Sequence, residues 1–374
     1  MAFFILMTDT ILCVDIGTSS LKAALLSDNL KSGEIFVSRQ YFSQDVRIEN
    51  RVACEWLSSL ASAIWELKSK NPGCQIKAVC VSGNGPTVVS DDGTTLLYSD
   101  IFVSPTRGRI PAQRKKELRN TKSLFIPRFF GFREIFGKNW KTSEHIFGAP
   151  EFLIHELTGK ACSILPEERF LPAYWNSESL EACGFSEGDC KKFPPFVSSS
   201  SFIGNLTARA SLEIGLSSET PVFAGAPDFV VALIGTGTVL PGRLCYRAGT
   251  SEGLNLCTSK PVFAEGLRTL PSVVPGLWNL SYLLKENTIE EFSHGISLLK
   301  NAAVSNGEVF PDLMTITGGK ALDDKLISQK EATTGLKIKK MPCADAELLG
   351  DLILARVGLG DYKDIPSAVS AVLG

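Results

Sequence analysis

The sequence predicts an α/β protein made of two half-domains of repeated β-β-β-α-β-α topology flanking a central cleft. The leading observation is a phrase that occurs twice: Leu-Cys-x-x-x-Gly-Thr-Ser stands at 12–19 and again at 244–251. In both copies an apolar run of strand length enters a Gly-Thr-Ser turn and a second apolar run leaves it. Around both copies the same succession of strand-like and helix-like patterns follows, as expected of a long-period internal repeat. The halves are expected at 1–222, with insertions at about 94–220, and at 223–374.

A chain of 374 residues accommodates about two domains of ordinary size. Its 44% hydrophobic and 21% charged content is that of a globular protein. The net charge is −2, and the densest basic patch, 107–119, reads as a solvated face, so no nucleic-acid partner is expected. None of the ten cysteines forms a Cys-x-x-Cys pair and the three histidines are scattered, which argues for reduced, buried thiols and against a zinc site. The apolar opening, 1–7, lacks a cationic flank and is broken by Thr8-Asp9-Thr10, too short for a secretion signal or a membrane span. The expectation is a cytoplasmic protein with no membrane partner; homodimer formation is left open.

Taken in order, 10–16 is a compact apolar strand broken by Gly17-Thr18-Ser19-Ser20, and 21–26 resumes as a second strand. A third strand is expected at 34–39. Within 52–69, Leu57, Leu60, Ala61, Ile64, Trp65 and Leu67 fall close to helical spacing. Pro72-Gly73 ends that helix, and a strand at 76–81 leads into the glycine-rich loop Ser82-Gly83-Asn84-Gly85-Pro86. Ligands of open α/β sheets bind outside strand ends of this kind. From 94 to 220 the pattern is irregular, apart from a helix at 150–157. Arg107, Arg109, Arg128, Arg133, Trp140 and Trp175 there could contact a sugar, although burial is the commoner fate of such aromatics.

In the second half a short strand at 221–225 precedes Asp228 and a helix at 229–234. Asp228 reads either as a helix N-cap or as a carboxylate held at the cleft as a general base. Strands at 243–246, 254–258 and 276–283 surround Gly249-Thr250-Ser251, and a helix follows at 288–304. A strand at 313–317 ends at Gly318-Gly319. A helix at 320–333, a strand at 336–341 and a helix at 345–357 complete the order.

Asp15 closes a buried strand immediately before a hydroxyl-rich turn. A carboxylate there can hold Mg²⁺, while Gly17, Thr18 and Ser19 offer N–H and hydroxyl donors to phosphate oxygens. An ordinary hairpin turn uses the same residues; the second copy of the phrase tips the balance to phosphate. The copies differ where Asp15 is replaced by Arg247, so only the first offers a carboxylate.

Five stretches together resemble the FGGY carbohydrate kinases, of the xylulose kinase-like kind: D-I-G-T-S-S-L-K (15–22), A-G-A-P-D-F (224–229), R-A-G-T-S-E-G-L-N (247–255), T-G-G-K-A-L-D-D-K-L-I-S-Q-K-E-A (317–332) and G-D-L-I-L-A-R-V-G-L-G (350–360). The resemblance implies two ribonuclease H-like domains, as in actin, sugar kinases and heat-shock ATPases, with ATP and Mg²⁺ as cofactors and a small sugar or polyol as substrate. It implies that Asp15, Gly17, Thr18, Ser19, Ser20 and Lys22 meet the ATP phosphates, with Asp15 at the metal. By the same resemblance Gly249, Thr250 and Ser251 form a second phosphate turn, and Gly318 and Gly319 lie against adenosine. Asp228 stands where the family keeps its base, and Asn84, Gly85, Asp100 and Asp228 stand at the sugar.

Two departures accompany this. The family's W-x-D-x-R stretch reads Tyr98-Ser99-Asp100-Ile101-Phe102, and its G-E-R-x-P loop is absent between the third strand and the following helix of the second half. The reading is ATP-dependent phosphorylation of a small sugar or polyol, a ketose such as a pentulose being favoured. The alternative is a degenerate relative that binds nucleotide or sugar without turnover; an actin- or chaperone-like ATPase explains the 224–229 and 350–360 stretches less well.

Overall fold

The computed structural model describes residues 8–30, 35–100, 112–249, 252–286 and 288–374. The chain divides into two units, 1–25 with 36–228, and 26–35 with 229–374. The division falls after Asp228 and not at 222/223, because the 221–227 strand pairs with the first unit's sheet.

The first unit is built on a six-stranded sheet. Its strands are β1 (Thr8–Ile16), β2 (Ser20–Leu26), β3 (Ser38–Tyr41), β4 (Cys74–Gly83), β5 (Phe202–Asn205) and β6 (Pro221–Pro227). They lie in the order β5-β6-β4-β1-β2-β3, with β1, β4 and β6 parallel. Alternate residues Leu12, Val14 and Ile16 of β1 join Val79 and Val81 of β4 in the core, as the two-residue period of a strand requires.

Helix α1 (Trp56–Lys70) covers that face with Trp56, Leu57, Leu60, Ala63, Ile64 and Leu67. Each large side chain so buried contributes about 1.5–3 kcal/mol. Trp65, which fits the spacing nearly as well, is 76% exposed. Its position falls at the edge of the stripe, where periodicity alone does not decide. Asn71 caps the helix end with its backbone N–H on Leu67 O, and Lys68 and Lys70 complement the dipole in the last turn.

The 94–220 region is not irregular. It contains helices at Ala112–Asn120, Ile126–Ile135, Gly137–Thr142, Ser177–Ala182 and Ala208–Ile214, besides α2 (Ala149–Thr158). Phe125, Phe129, Phe132 and Phe136 recur at helical spacing, and the first three form a second core with Trp140, Tyr174, Trp175 and Phe185, against which Phe136 packs. Trp175 lies edge-on to Phe129 at 4.9 Å, and the Trp140 indole donates to Asp189 at 2.6 Å. Trp140 and Trp175 are therefore core residues. Arg128 is likewise buried, and the Arg133 guanidinium lies over the Phe185 ring at 4.3 Å. Arg107 and Arg109 lie outside the described residues.

Glu151, in the first turn of α2, is a buried carboxyl. One oxygen accepts the Ile164 N–H at 3.0 Å; the other, Oε2, has no donor. Burial pushes its pKa up to about 7 from the ordinary 4.5, against the opposing pull of the Ile164 and Glu151 N–H groups. A raised carboxyl pKa leaves stability intact below pH 4.5 and removes it as pH climbs to 7, because the unfolded chain ionises first. The loss is about 3 kcal/mol at pH 8. Glu151→Gln keeps an acceptor for Ile164 and cannot ionise. It should therefore melt above the parent at pH 8 and level with it at pH 4; equal melting at both values would contradict this account.

The second unit repeats the plan. Its strands are β7 (Leu244–Ala248), β8 (Glu252–Thr258), β9 (Arg268–Pro271), β10 (Trp278–Leu283), β11 (Leu313–Thr317) and β12 (Lys337–Lys340). The order is β9-β10-β8-β7-β11-β12, with β7, β11 and β12 parallel. Omitting the edge additions β5 and β9, both sheets read third-second-first-fourth-fifth strand, so the repeat seen in two short phrases extends to whole sheets. Strand β9 was not anticipated; its four residues, Arg-Thr-Leu-Pro, show no sustained alternation.

Helices α3 (Asp228–Gly235, of which all but Asp228 belongs here), α4 (Ile289–Ser305), α5 (Asp324–Thr334), α6 (Ala346–Gly358) and α7 (Ile365–Leu373) complete this unit. A single 3₁₀ turn, Gly319–Leu322, precedes α5, where the sequence suggested one continuous helix. Asp323 is the reason: its side chain accepts the Leu326 N–H and starts the helix afresh. No helix among the described residues is long and apolar enough to cross a membrane.

Candidate active site

Parallel pairing brings three strand ends level in the first unit. Ile16 of β1 and Pro227 of β6 both lie opposite Gly83 of β4. With strands about 4.8 Å apart, the three ends span about 10 Å. Asp15 therefore stands one residue before the end of β1, Ser82 faces it from β4, and Asp228 follows the last residue of β6. These are carboxyl ends of parallel strands, where open α/β sheets bind ligands. Gly83 allows the close approach: a Cβ there would come within 3.1–3.3 Å of Ile16 Cβ, Ile16 O and Pro150 Cδ.

Asp15 is buried, and its Oδ2 pairs with Lys22 Nζ at 2.9 Å. Its Oδ1 is buried without any hydrogen-bond donor. Across the turn, the Gly17 N–H donates to Ser20 O at 2.9 Å, which closes the loop tightly enough that a Cβ on Gly17 would sit 3.1 Å from that oxygen. Ser19 is exposed and Gly17 and Thr18 half-exposed, whereas Ser20 is buried as the first residue of β2.

The turn is braced from the neighbouring loop. The Asn84 N–H donates to Ile16 O at 2.8 Å, and Asn84 Nδ2 donates to Thr18 Oγ1 at 2.8 Å. Thr87 Oγ1 donates to Asn84 Oδ1 at 2.9 Å and accepts the Tyr98 N–H at 3.1 Å. Both ends of the Asn84 amide are thus engaged in holding two loops together, with Gly85 next to it in the loop. Thr87 is a participant that the sequence reading missed; a buried Thr beyond a Gly-Pro pair carries no distinctive spacing. Asp100 lies further along the same region. Its carboxylate accepts the Leu97 N–H at 2.7 Å, and its carbonyl accepts from Arg128 at 3.2 Å, so it closes its own turn.

The second unit contains the matching pair of turns. Arg247 of β7 lies opposite Thr317 of β11, as Asp15 lies opposite Ser82. Gly318, with φ +93°, then packs so closely that a Cβ would meet Ala248 C and O at 2.6 Å and Gly249 N at 2.8 Å. No other residue type can take this position without moving the backbone. Thr317 Oγ1 donates to Ala344 O at 2.7 Å and accepts the Ala346 N–H at 3.3 Å, tying the turn to the start of α6. Gly319 has open space on its Cβ side. Glu252, the first residue of β8, accepts from Tyr246 Oη and Lys320 Nζ. Thr250 and Ser251 lie outside the described residues.

Among the described residues no three His, Cys, Asp or Glu side chains group as metal ligands. Mg²⁺ is commonly held by one or two carboxylates plus substrate phosphates and water. The single unsatisfied oxygen of Asp15 fits that mode and not an all-protein cage.

No family model matches this chain. It is 25% identical over 264 residues to a xylulose kinase of Staphylococcus epidermidis, covering 65% of this chain and 52% of that protein. It is 20% identical over 278 residues to the gluconokinase of Bacillus subtilis, covering 68% and 53%. The chain thus spans about half the length of these curated relatives. Among solved structures, a ligand-bound xylulose kinase from Lactobacillus acidophilus superposes with TM-score 0.71 at 15% identity, covering 97% of this chain and 92% of that one. The Plasmodium falciparum glycerol kinase solved with ADP gives TM-score 0.70 at 13% identity, with the same coverage. The fold is the two-domain, actin-like fold of those kinases, and in sequence the chain is similar to carbohydrate kinases.

Proposed function

We propose that this protein transfers the γ-phosphoryl group of ATP to a hydroxyl of a small sugar or polyol, a ketose such as a pentulose being favoured. The observation that carries the reading is the level alignment of Asp15, Ser82-Gly83 and Asp228 at three adjacent parallel strand ends. Sequence similarity to sugar kinases supports it.

In this reading Asp228 accepts the proton of the acceptor hydroxyl as its oxygen bonds to the γ-phosphorus and the bond to the ADP oxygen breaks. Phosphoryl transfer asks little covalent chemistry of a protein, so positioning and charge dominate. Gly17, Thr18, Ser19 and Ser20 form the first phosphate turn, Lys22 supplies positive charge beside Asp15, and the Asn84 network keeps Thr18 in place. Gly249, Thr250 and Ser251 are assigned to a second phosphate turn, and Gly318 and Gly319 to adenosine. Asn84, Gly85 and Asp100 are assigned to the sugar side. When bound, Mg²⁺ would be held through Asp15 and would neutralise phosphate charge.

The test is ADP release from Mg-ATP across a panel of ketoses, aldoses and polyols. Release should depend on the acceptor. ATP binding without release on any acceptor would support the non-catalytic alternative, and acceptor-independent release would overturn the kinase reading.

A further inference from the structure

Lys330 is the most anomalous side chain of the second unit. It is fully buried, and its ammonium has no hydrogen-bond acceptor. It lies over two aromatic faces, with Phe292 at 3.7 Å and Tyr246 at 4.7 Å from ring centroid to nitrogen. A buried ammonium without an acceptor is expensive, and cation–π contact offsets only part of that cost.

The charged groups that face it are Glu252 of β8 and Lys320 of the 3₁₀ turn, with the Tyr246 hydroxyl of β7 also on Glu252. Glu252 holds its ion pair with Lys320, while Lys330 stands within its field without a bond to it, and the three charges sum to +1. The two cations are not equivalent. Lys320, directly after the Gly318-Gly319 turn, is 32% exposed and holds the bond to Glu252. Lys330 lies behind, sealed from solvent, and holds no bond at all.

We propose that Lys320 is an exchangeable phosphate ligand, leaving Glu252 for a nucleotide phosphate oxygen, and that Lys330 is the reserve cation that neutralises Glu252 once Lys320 has left. This rests on the reading that the glycine turns of this unit receive the nucleotide. Without Lys330, moving Lys320 away would strand a buried carboxylate, whose cost would be charged against binding. With Lys330 in place the exchange keeps one buried positive charge in the field of Glu252 in both states.

Burial lowers the Lys330 pKa to about 8, opposed by Glu252 and assisted by Lys320. As pH rises through that value Lys330 becomes neutral, Glu252 retains Lys320, and nucleotide binding weakens. The experiment is calorimetric titration of the full chain with ADP between pH 7 and 9.5. The dissociation constant of the parent should rise about tenfold from pH 7 to pH 9, as loss of one linked proton dictates. Lys330→Met should bind weakly at every pH and show no such rise, while melting at a higher temperature because a buried charge is replaced by an apolar chain. Glu252→Gln, which releases Lys320, should bind ADP at least as tightly as the parent and also without the pH step. A parent-like pH step in Lys330→Met, or weakened ADP binding in Glu252→Gln, would overturn the proposal while leaving the kinase reading intact. Failure of the parent to bind ADP at any pH would instead overturn the nucleotide reading on which it rests.

Discussion

Asp228→Asn should lower kcat by about 10²- to 10⁴-fold, the range contributed by a positioned general base, with little change in KM for either substrate. The substitution is chosen because Asp228 is open to two explanations. It is the first residue of α3 and an acidic residue in that helix's first turn, where a carboxylate also stabilises the helix. Asp228→Asn keeps the size and polarity of the side chain and removes only the charge, which is worth about 0.3–1 kcal/mol to the helix. It cannot accept the hydroxyl proton, so the chemical step fails while the fold persists. A melting temperature close to the parent together with a collapsed kcat identifies a base. If Asp228→Asn keeps parental kcat, and Asp228→Ala loses only about 1 kcal/mol of stability, the residue is a helix-start residue and nothing more.

Gly350→Ala should destabilise the second unit by about 3 kcal/mol or more, at the upper end of what overpacking costs. A Cβ on Gly350 of α6 would sit 2.1 Å from Val231 O of α3, and a Cβ on Gly235 of α3 would sit 1.9 Å from Ala346 O of α6. Each helix carries a glycine where the other's backbone passes, so neither methyl can be absorbed by turning a side chain. The helices must separate, and the packing of Leu349, Leu352 and Ile353, all fully buried, loosens with them. Thermal melting should show a drop of roughly 6–12 °C, taking about 2–4 °C per kcal/mol for a unit of this size. A shift smaller than about 2 °C would mean that the helices slide apart at little cost.

This crossing shows what was readable from the chain and what was not. The 350–360 stretch stood out as a motif, but nothing in its letters says that Gly350 is a notch for a carbonyl 119 residues earlier in the chain. Strands β1, β2 and β4 and helix α1 were visible because Leu, Val and Ile repeat with the period of the element they form. The first unit's insertion was not, because its apolar residues are mostly aromatic, and the helical spacing of Phe125, Phe129, Phe132 and Phe136 is interleaved with Arg128 and Arg133. The strand-end site was partly visible. Asp15, Thr18 and Asp228 lie beside diagnostic Gly-Thr and Pro-Asp steps, and the level alignment of their strands follows from parallel pairing. The cluster of Glu252, Lys320 and Lys330 was not visible, since two lysines and a glutamate in polar sequence normally belong to the surface.

The paired glycine contacts at the strand ends bear on how the two halves could diverge from one template. In the first unit Gly83 lies against Ile16 O; in the second Gly318 lies against Ala248 O. In both, the bend is dictated by main-chain proximity, so the residue just before it does not set the geometry. That residue is Asp15 in one copy and Arg247 in the other. A repeated bend of this construction can carry a carboxylate in one copy and a guanidinium in the other without any change to its backbone.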